Sequence, residues 1–381
     1  MLVSRTDARD ATLPDRERLS DVEFCEAMLP LVSRTFTLNI GILPGRLRDP
    51  VRIAYLFCRM ADTVEDSAYL PVGEKHELLA RLGSLPALAP GWEEEVDSLA
   101  GRFEDPPGPG DADWHLCAGA LSAFRAFSRL DREEREPIAL CLKEMTEGMS
   151  RYLPPLETRD EAGVPARGGP GDRTWFALDR VDDLLGYSHA VAGTVGEMLC
   201  RLFAAHSERI SPRLLRQLEA RAVSFGHALQ LTNIVKDVNR DRLRGRSFIP
   251  EQIAARHGLS TRELWNAAEG PRARRALLDV IDLALEHFDQ AFHYSVLLPK
   301  REVRIRLFCL WPLFLALRTL GAVLVRSNPF MGAESIKISR AEVQRTLQMT
   351  SLASLSNRWL GRLYQSRKRV LTAALSLSPG S

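Results

Sequence analysis

Cysteine is sparse in this sequence and never paired: the six residues, Cys25, Cys58, Cys117, Cys141, Cys200 and Cys309, lie far apart and form no C-x-x-C. Their spacing argues against a thiolate zinc site or a disulfide framework and fits a reducing, cytosolic setting. An excess of one charge is also missing. With 51 basic against 49 acidic residues the formal net charge is +2, so the overall field does not single out nucleic acid as a partner. Basic patches interleaved with stacking aromatics are absent as well. There is no G-x-x-x-x-G-K-[ST], no G-x-G-x-x-G after a strand, and no H-E-x-x-H among the eight histidines. P-loop, Rossmann and zinc-protease chemistry are therefore not indicated. Clear period-two alternation, the mark of half-buried strands, is lacking too.

What the sequence does have is helical spacing. Apolar residues recur three and four apart in VRIAYLFCRMADTVED, LLRQLEARAVSFGHALQLTNIVKDV and LLDVIDLALEHFDQAFHYSVLL, which predicts an all-α protein. The breaks at 85–92, 104–113, 153–172 and 327–332 are rich in Pro and Gly and read as loops. None demands a domain boundary in a chain of 381 residues. We expect a lead-in over 1–20, one helical domain over 21–350 and a helical, polar tail over 351–381. The N-terminus mixes both charges and lacks the apolar core of a signal peptide. LFCLWPLFLALRTLGAVLV (307–325) has about the length of a membrane span but carries Pro312 and Arg318, so it reads as a buried helix. AVAGTVGEML places Gly193 and Gly196 in a helical pattern, where each costs up to ~1 kcal/mol relative to Ala. Close helix packing and room for a ligand are equally good reasons. His189 and His227 read as packing or pocket-wall residues.

Two acidic stretches carry the chemistry. In CRMADTVEDS, Asp62, Glu65 and Asp66 share one helix face, with Arg59 one turn earlier on the same side. Taken alone, this is as consistent with a solvated helix edge as with a cation site. In QLTNIVKDVNRDRLRGRSFIP, Asp237 and Asp241 stand at i and i+4 among Lys236, Arg240, Arg242, Arg244 and Arg246. Surface ion pairs there contribute only ~0.3–0.5 kcal/mol each, but the acids follow an apolar helix bearing Gln230 and Asn233. Two acidic faces opposed by arginines suit a magnesium–diphosphate complex, because Mg2+ takes carboxylate and phosphate oxygens and guanidinium groups bind the rest. Such a site can ionise an allylic diphosphate, with an apolar cavity sheltering the cation from water.

In order and separation these stretches resemble the squalene/phytoene synthase family, the head-to-head prenyltransferases. The resemblance runs over SRTF (33–36), YLFCRMADTVED (55–66), YSHAVAGTVGEML (187–199), LQLTNIVKDVNRD (229–241) and GRSFIP (245–250). It implies an all-α fold around a central cavity that takes two prenyl diphosphates. By that resemblance Asp62, Glu65, Asp66, Asp237 and Asp241 are metal groups, and Ser33, Arg34, Arg59, Lys236 and Arg246 contact diphosphate. Tyr55 and Tyr187 match tyrosines near the reacting carbons and, with Arg59, Asp62 and Asp66, form the implied catalytic set. Phe36, Gln230, Asn233 and Phe308 match pocket residues, while Lys337 and Arg340 match the region that contacts the cofactor phosphate.

DTVED, the YSHAVAG run and the long C-terminal part look more like squalene synthases than phytoene synthases. The implied reaction joins two farnesyl diphosphates through presqualene diphosphate, followed by hydride transfer from NADPH, with Mg2+ as the metal. Non-reductive members making dehydrosqualene, phytoene, hydroxysqualene or presqualene diphosphate are the alternative. A non-catalytic isoprenoid-binding protein is the remote one. Three places depart from the squalene synthase pattern: Arg240 stands where an acid is usual, GRSFIP is intermediate between the two groups, and RIRLFCLWP lacks the usual glutamine and asparagine. With no membrane helix at its C-terminal end, the chain is expected to be cytoplasmic, soluble or peripheral to the inner face of the membrane.

Overall fold

Apolar residues spaced three and four apart share one face only in a helix, and helix is what nearly the whole chain forms. The structure, a computed structural model, describes residues 13–153, 175–326, 328–331 and 335–376, without the side chain of Arg34. Its first helices are α1 (Asp21–Val32), α2 (Arg34–Gly41), α3 (Gly45–Asp66), α4 (Val72–Ser84) and α5 (Trp92–Ala100). Then come α6 (Ala112–Ala118), α7 (Ala120–Ser128), α8 (Arg132–Arg151), α9 (Val181–Ser188) and α10 (Thr194–His206). The remaining six are α11 (Pro212–Leu243), α12 (Glu251–Arg256), α13 (Gly270–Leu297), α14 (Val303–Leu324), α15 (Arg340–Ala353) and α16 (Asn357–Ser376). Between α9 and α10 one wide π turn spans His189–Gly193. The only strands among the described residues are β1 (Phe176–Ala177) and β2 (Arg246–Ser247), paired in parallel.

The longest helix shows how local chemistry fixes these limits. Ser211 caps α11 by accepting the Leu214 amide, and Pro212 takes the first position, where a missing N–H costs nothing. At the other end Gly245 adopts φ 74°, a left-handed conformation that closes the helix and turns the chain back. That turn sends Arg246 into β2 and thus toward the end of α3.

The apolar residues gather in two cores. One holds α1, α3, α7, α8 and α10, and the other α11, α13, α14 and α16. Their seam runs along the π turn, α10 and α11, which approach closely at Gly196 and Gly226. A methyl on Gly196 would lie 2.3 Å from the Ala222 carbonyl oxygen, and one on Gly226 would lie 2.2 Å from that of Ala192. Close packing explains Gly196, and because it also lines the cavity, so does room for a ligand.

α14 is long and apolar enough to cross a membrane by length and composition, yet 78% of its apolar window is buried inside the protein. It is a core helix, as expected. Two expected boundaries move. The lead-in is docked from Pro14 on: its carbonyl meets His115 Nε2 at 2.9 Å, and Arg16 Nη1 donates to the Ala118 carbonyl at 2.6 Å. Residues 351–376 of the expected tail also pack on the domain. Residue 350 falls inside α15, and α16 buries Leu360, Tyr364 and Leu371, with Tyr364 stacked on Phe292 at 4.3 Å.

His227 is 7% exposed, neither ring nitrogen has a partner, and the rings of His189 and His287 approach to 6.4 and 4.8 Å. Burial, aided by the neighbouring imidazoles, pushes its pKa down to about 4. His287 is also lowered by burial, against the pull of Glu286. Between about pH 4 and 6.5 the unfolded chain therefore binds more protons at His227, and the native state loses stability as pH falls through that window. The loss is on the order of 1–3 kcal/mol. His227→Leu is expected to flatten this limb of the denaturation profile, and an unchanged limb would assign it to other groups.

Candidate active site

α3 and α11 each end in acids, and there the helix dipole already places negative charge. Asp62, Glu65 and Asp66 occupy the last turn and a half of α3, and Asp237 and Asp241 the last two turns of α11. All five line the mouth of one cavity of about 290 Å3 between the two cores. The rest of the wall is apolar: Phe36, Tyr55, Leu229, Phe248, Tyr294 and Phe308 are among its residues, with Gln230 and Asn233 as amides near the acids. Asn233 Nδ2 donates to Gln230 Oε1 at 3.4 Å, which leaves both amides facing the same space.

Crowding of carboxylates in a partly dry site raises their pKa values. Burial and then the Asp66 charge lift Asp62 to about 6, despite Arg59. Burial followed by Asp237 and Asp66 lifts Asp241 to about 7. Glu65 is also raised, by burial first and by its acidic neighbours, with Arg246 opposing. Asp66, by contrast, is held below its ordinary value, because Arg244 and Arg246 outweigh its burial. Burial and neighbouring acids thus disfavour the ionised form of Asp62, Glu65 and Asp241, and a cation bound beside them favours it.

Basic residues from the turn after α11 reach across to α3. Arg244 Nη1 lies 2.7 Å from Asp66 Oδ2. Arg246 Nη2 donates to the Glu65 carbonyl at 3.0 Å, and the Lys75 ammonium donates to the same oxygen at 2.7 Å. Two cations therefore cap the C-terminal end of α3. Burial, helped by Arg246, pushes Lys75 down to about 8.

Tyr187 donates to Glu65 Oε1 at 3.3 Å and stacks on Phe248 at 4.5 Å. Tyr55 packs on Phe36 at 5.0 Å and hydrogen-bonds Ser33. Burial raises both phenols, so each is a neutral hydroxyl beside an apolar space.

The donor set suits Mg2+. Asp237 Oδ2 pairs with Lys236, while its Oδ1 is buried with no partner. Among the described residues no three His, Cys, Asp or Glu side chains converge on one point. Mg2+ needs fewer: it commonly takes one or two carboxylates and completes its shell with water and phosphate oxygens.

Several implied contacts are placed differently. Arg59 is 5% exposed and does not line the cavity. Its Nε and Nη2 form a fork with Asp113 of α6 at 2.7 and 2.6 Å, and Nη1 lies 3.7 Å from Asp62. It positions α3 instead of facing a diphosphate, because a buried guanidinium is held by the nearest buried carboxylate. Ser33 caps α2 through the Phe36 amide. Lys236 and Arg246 are engaged by Asp237 and the end of α3, behind the mouth. Arg34 opens α2, and its side chain lies outside the described residues. Lys337 and Arg340 are exposed and off the cavity, although Ile336 is tied to the Lys236 carbonyl at 3.1 Å. His189 and His227 belong to packing, away from the cavity wall.

A sequence profile described as Squalene/phytoene synthase matches residues 29–345. The chain belongs to the squalene/phytoene synthase family. Within that family it is 30% identical to the squalene synthase of Schizosaccharomyces pombe over 341 residues, which covers 89% of this chain and 67% of that one. It is 29% identical to the human squalene synthase over 328 residues, covering 86% of this chain and 70% of the relative. A ligand complex of TcSQS superimposes with a TM-score of 0.70 at 23% identity, over 94% of this chain and 98% of the other. A dehydrosqualene synthase complex gives 0.55 at 19% identity over 87% and 95%. Both structures share the isoprenoid synthase helical fold seen in this member of the family.

For this family member, reading the sequence singled out neither Arg244, Lys75 nor Asp113 as site-forming. Arg244 stands in a run of five basic residues with nothing to rank it among them. Asp113 is 54 positions from its partner, and no local pattern connects them.

Proposed function

We propose that this protein is a squalene synthase that joins two farnesyl diphosphates head to head through presqualene diphosphate and reduces the product to squalene. The observation that carries this reading is the pair of acidic helix ends, with Arg240 and Arg244, at the mouth of one apolar cavity. Similarity to squalene synthases over most of the chain supports it. In the first half-reaction the C1–O bond of one farnesyl diphosphate breaks and diphosphate leaves. The C1 cation then alkylates the double bond of the second molecule, and loss of a proton closes the cyclopropane.

Asp62, Asp66, Asp237 and Asp241 would hold Mg2+, which supplies positive charge to the departing diphosphate. Arg240 and Arg244 face the same leaving group and stabilise the charge it gains. Phe36, Phe248 and Phe308 exclude water from the cation, and Tyr55 and Tyr187, which line the same space, carry rings able to stabilise it. NADPH would supply the hydride of the second half-reaction, with Lys337 and Arg340 as its phosphate contacts. We place the enzyme in the cytoplasm, at the inner face of a membrane when its hydrocarbon product leaves water.

A second reading stops before reduction. It is favoured by RIRLFCLWP, which lacks the glutamine and asparagine usual there, and by Lys337 and Arg340 lying off the cavity. Mass spectrometry of products formed from C15 and C20 diphosphates with Mg2+, with and without NADPH, separates the two. Squalene formed only with NADPH is the expected result. Presqualene diphosphate, an alcohol or dehydrosqualene alone, despite excess NADPH, would establish the non-reductive reading.

A further inference from the structure

α14 faces the main cavity with Phe308, Pro312 and Ala316, four residues apart. Phe314 and Arg318 repeat the same spacing but are offset by two residues, roughly 200° around the helix. They line a second cavity of about 220 Å3, closed by α15 and α16. Its charged lining is Arg318, Arg345 and Arg367 against a single acid, Glu342. Arg318 Nη2 lies 2.7 Å from Glu342 Oε1, which uses up that acid. No carboxylate pairs with Arg345 or Arg367 among the described residues. Burial lowers Arg367 from its ordinary value, and the positive charges of Arg318 and Arg345 lower it further.

A separate observation comes from Thr350, which lines the same cavity and is 0% exposed. Its hydroxyl has no hydrogen-bond partner. Helical threonines usually return the hydroxyl to the carbonyl four residues back, as Thr346 does one turn earlier, donating to Glu342 at 2.7 Å. A buried hydroxyl without a partner has lost its hydrogen bonds to water and gained none in return. The exposed Arg345 and the half-buried Arg367 line the same cavity, so it holds one hydroxyl donor without a partner and two positive charges without a carboxylate.

We propose that this cavity binds a phosphate dianion, held by the guanidinium forks of Arg345 and Arg367 and by the Thr350 hydroxyl. Guanidinium forks match phosphate oxygens two at a time, and the excess of three arginines over one glutamate equals the charge of a dianion. The site is separate from the reaction cavity, since no residue lines both, and from Lys337 and Arg340, which line neither. Phe314, Met349 and Leu363 give it an apolar wall for whatever the phosphate is attached to. Outside it, Leu352, Leu355 and Trp359 are more than half exposed, so the phosphate belongs either to a soluble ester or to a lipid headgroup.

Thermal unfolding in inorganic phosphate, compared with chloride at equal ionic strength, tests the proposal. The wild-type midpoint should rise with phosphate. In the double variant Arg345→Gln, Arg367→Gln that rise should shrink, while the midpoint in chloride stays at or above wild type because repulsion is relieved. Thr350→Val, which keeps the shape, should weaken phosphate binding by about tenfold, as for loss of one hydrogen bond to a charged group. Retention on phosphatidylcholine vesicles containing phosphatidic acid, lost in the double variant, identifies a lipid headgroup. A phosphate response without vesicle retention identifies a soluble ester. A phosphate response identical in wild type and both variants overturns the site, whatever the vesicles show.

Discussion

Asparagine in place of Asp62 is expected to lower the rate of product formation from farnesyl diphosphate by about 10²–10³-fold, the loss typical when one group that stabilises leaving-group charge is removed. Asp62 stands with Asp66 on one side of the mouth and faces Asp237 and Asp241 on the other. Folding should not suffer. Burial and Asp66 already hold the Asp62 carboxyl up at about 6, so the neutral amide is easier to keep in that environment than the ionised acid. The signature is lost turnover with an unfolding midpoint equal to or above wild type, and an increased requirement for Mg2+. Turnover within about threefold of wild type would remove Asp62 from the charge-stabilising set, since even one modest interaction is worth more than that.

Arg59→Gln is expected to act in the opposite way, through stability. The fork to Asp113 is closed at both ends, with Arg59 5% and Asp113 4% exposed. Breaking it leaves an uncompensated buried carboxylate, which costs about 3–5 kcal/mol. Exchanging both partners for apolar residues, Arg59→Met with Asp113→Leu, should recover most of that cost, because the desolvation of both charges disappears together. Urea denaturation of the wild type, Arg59→Met, Asp113→Leu and the double variant gives the coupling energy. A single-variant cost below ~1 kcal/mol, the range of exposed pairs, would show that the pair is open to water. Turnover is expected to fall as well, since Arg59 Nη1 is 3.7 Å from Asp62 and fixes the helix that carries it.

These two arginine-and-acid pairings show where reading the sequence alone stops. Spacing places Asp62, Glu65 and Asp66 on one face because a helix repeats every 3.6 residues, and the structure has them there. It puts Arg59 on that face too. What spacing lacks is a ranking of acids by distance in space, and Asp113 on α6 takes Arg59 out of the mouth. Arg244 and Arg246 present the converse case. They flank Gly245 in a basic run, and the left-handed turn there sends both to the last residues of α3, Arg244 to the Asp66 carboxylate and Arg246 to the Glu65 carbonyl.

The sequence by itself determined the helical class, the family and the five acids, because each is written in periodicity or in contiguous motifs. α14 was legible as a core helix for the same reason: Pro312 and Arg318 interrupt an otherwise apolar run. Tertiary structure decided which charges meet. It made 351–376 part of the core through Leu360 and Tyr364, and it separated one face of α14, which lines the reaction cavity, from the other, which carries Arg318 toward Arg345 and Arg367. Pairing energies depend on distances of a few ångströms and on exclusion of water, and neither exists until helices far apart in the chain are packed together.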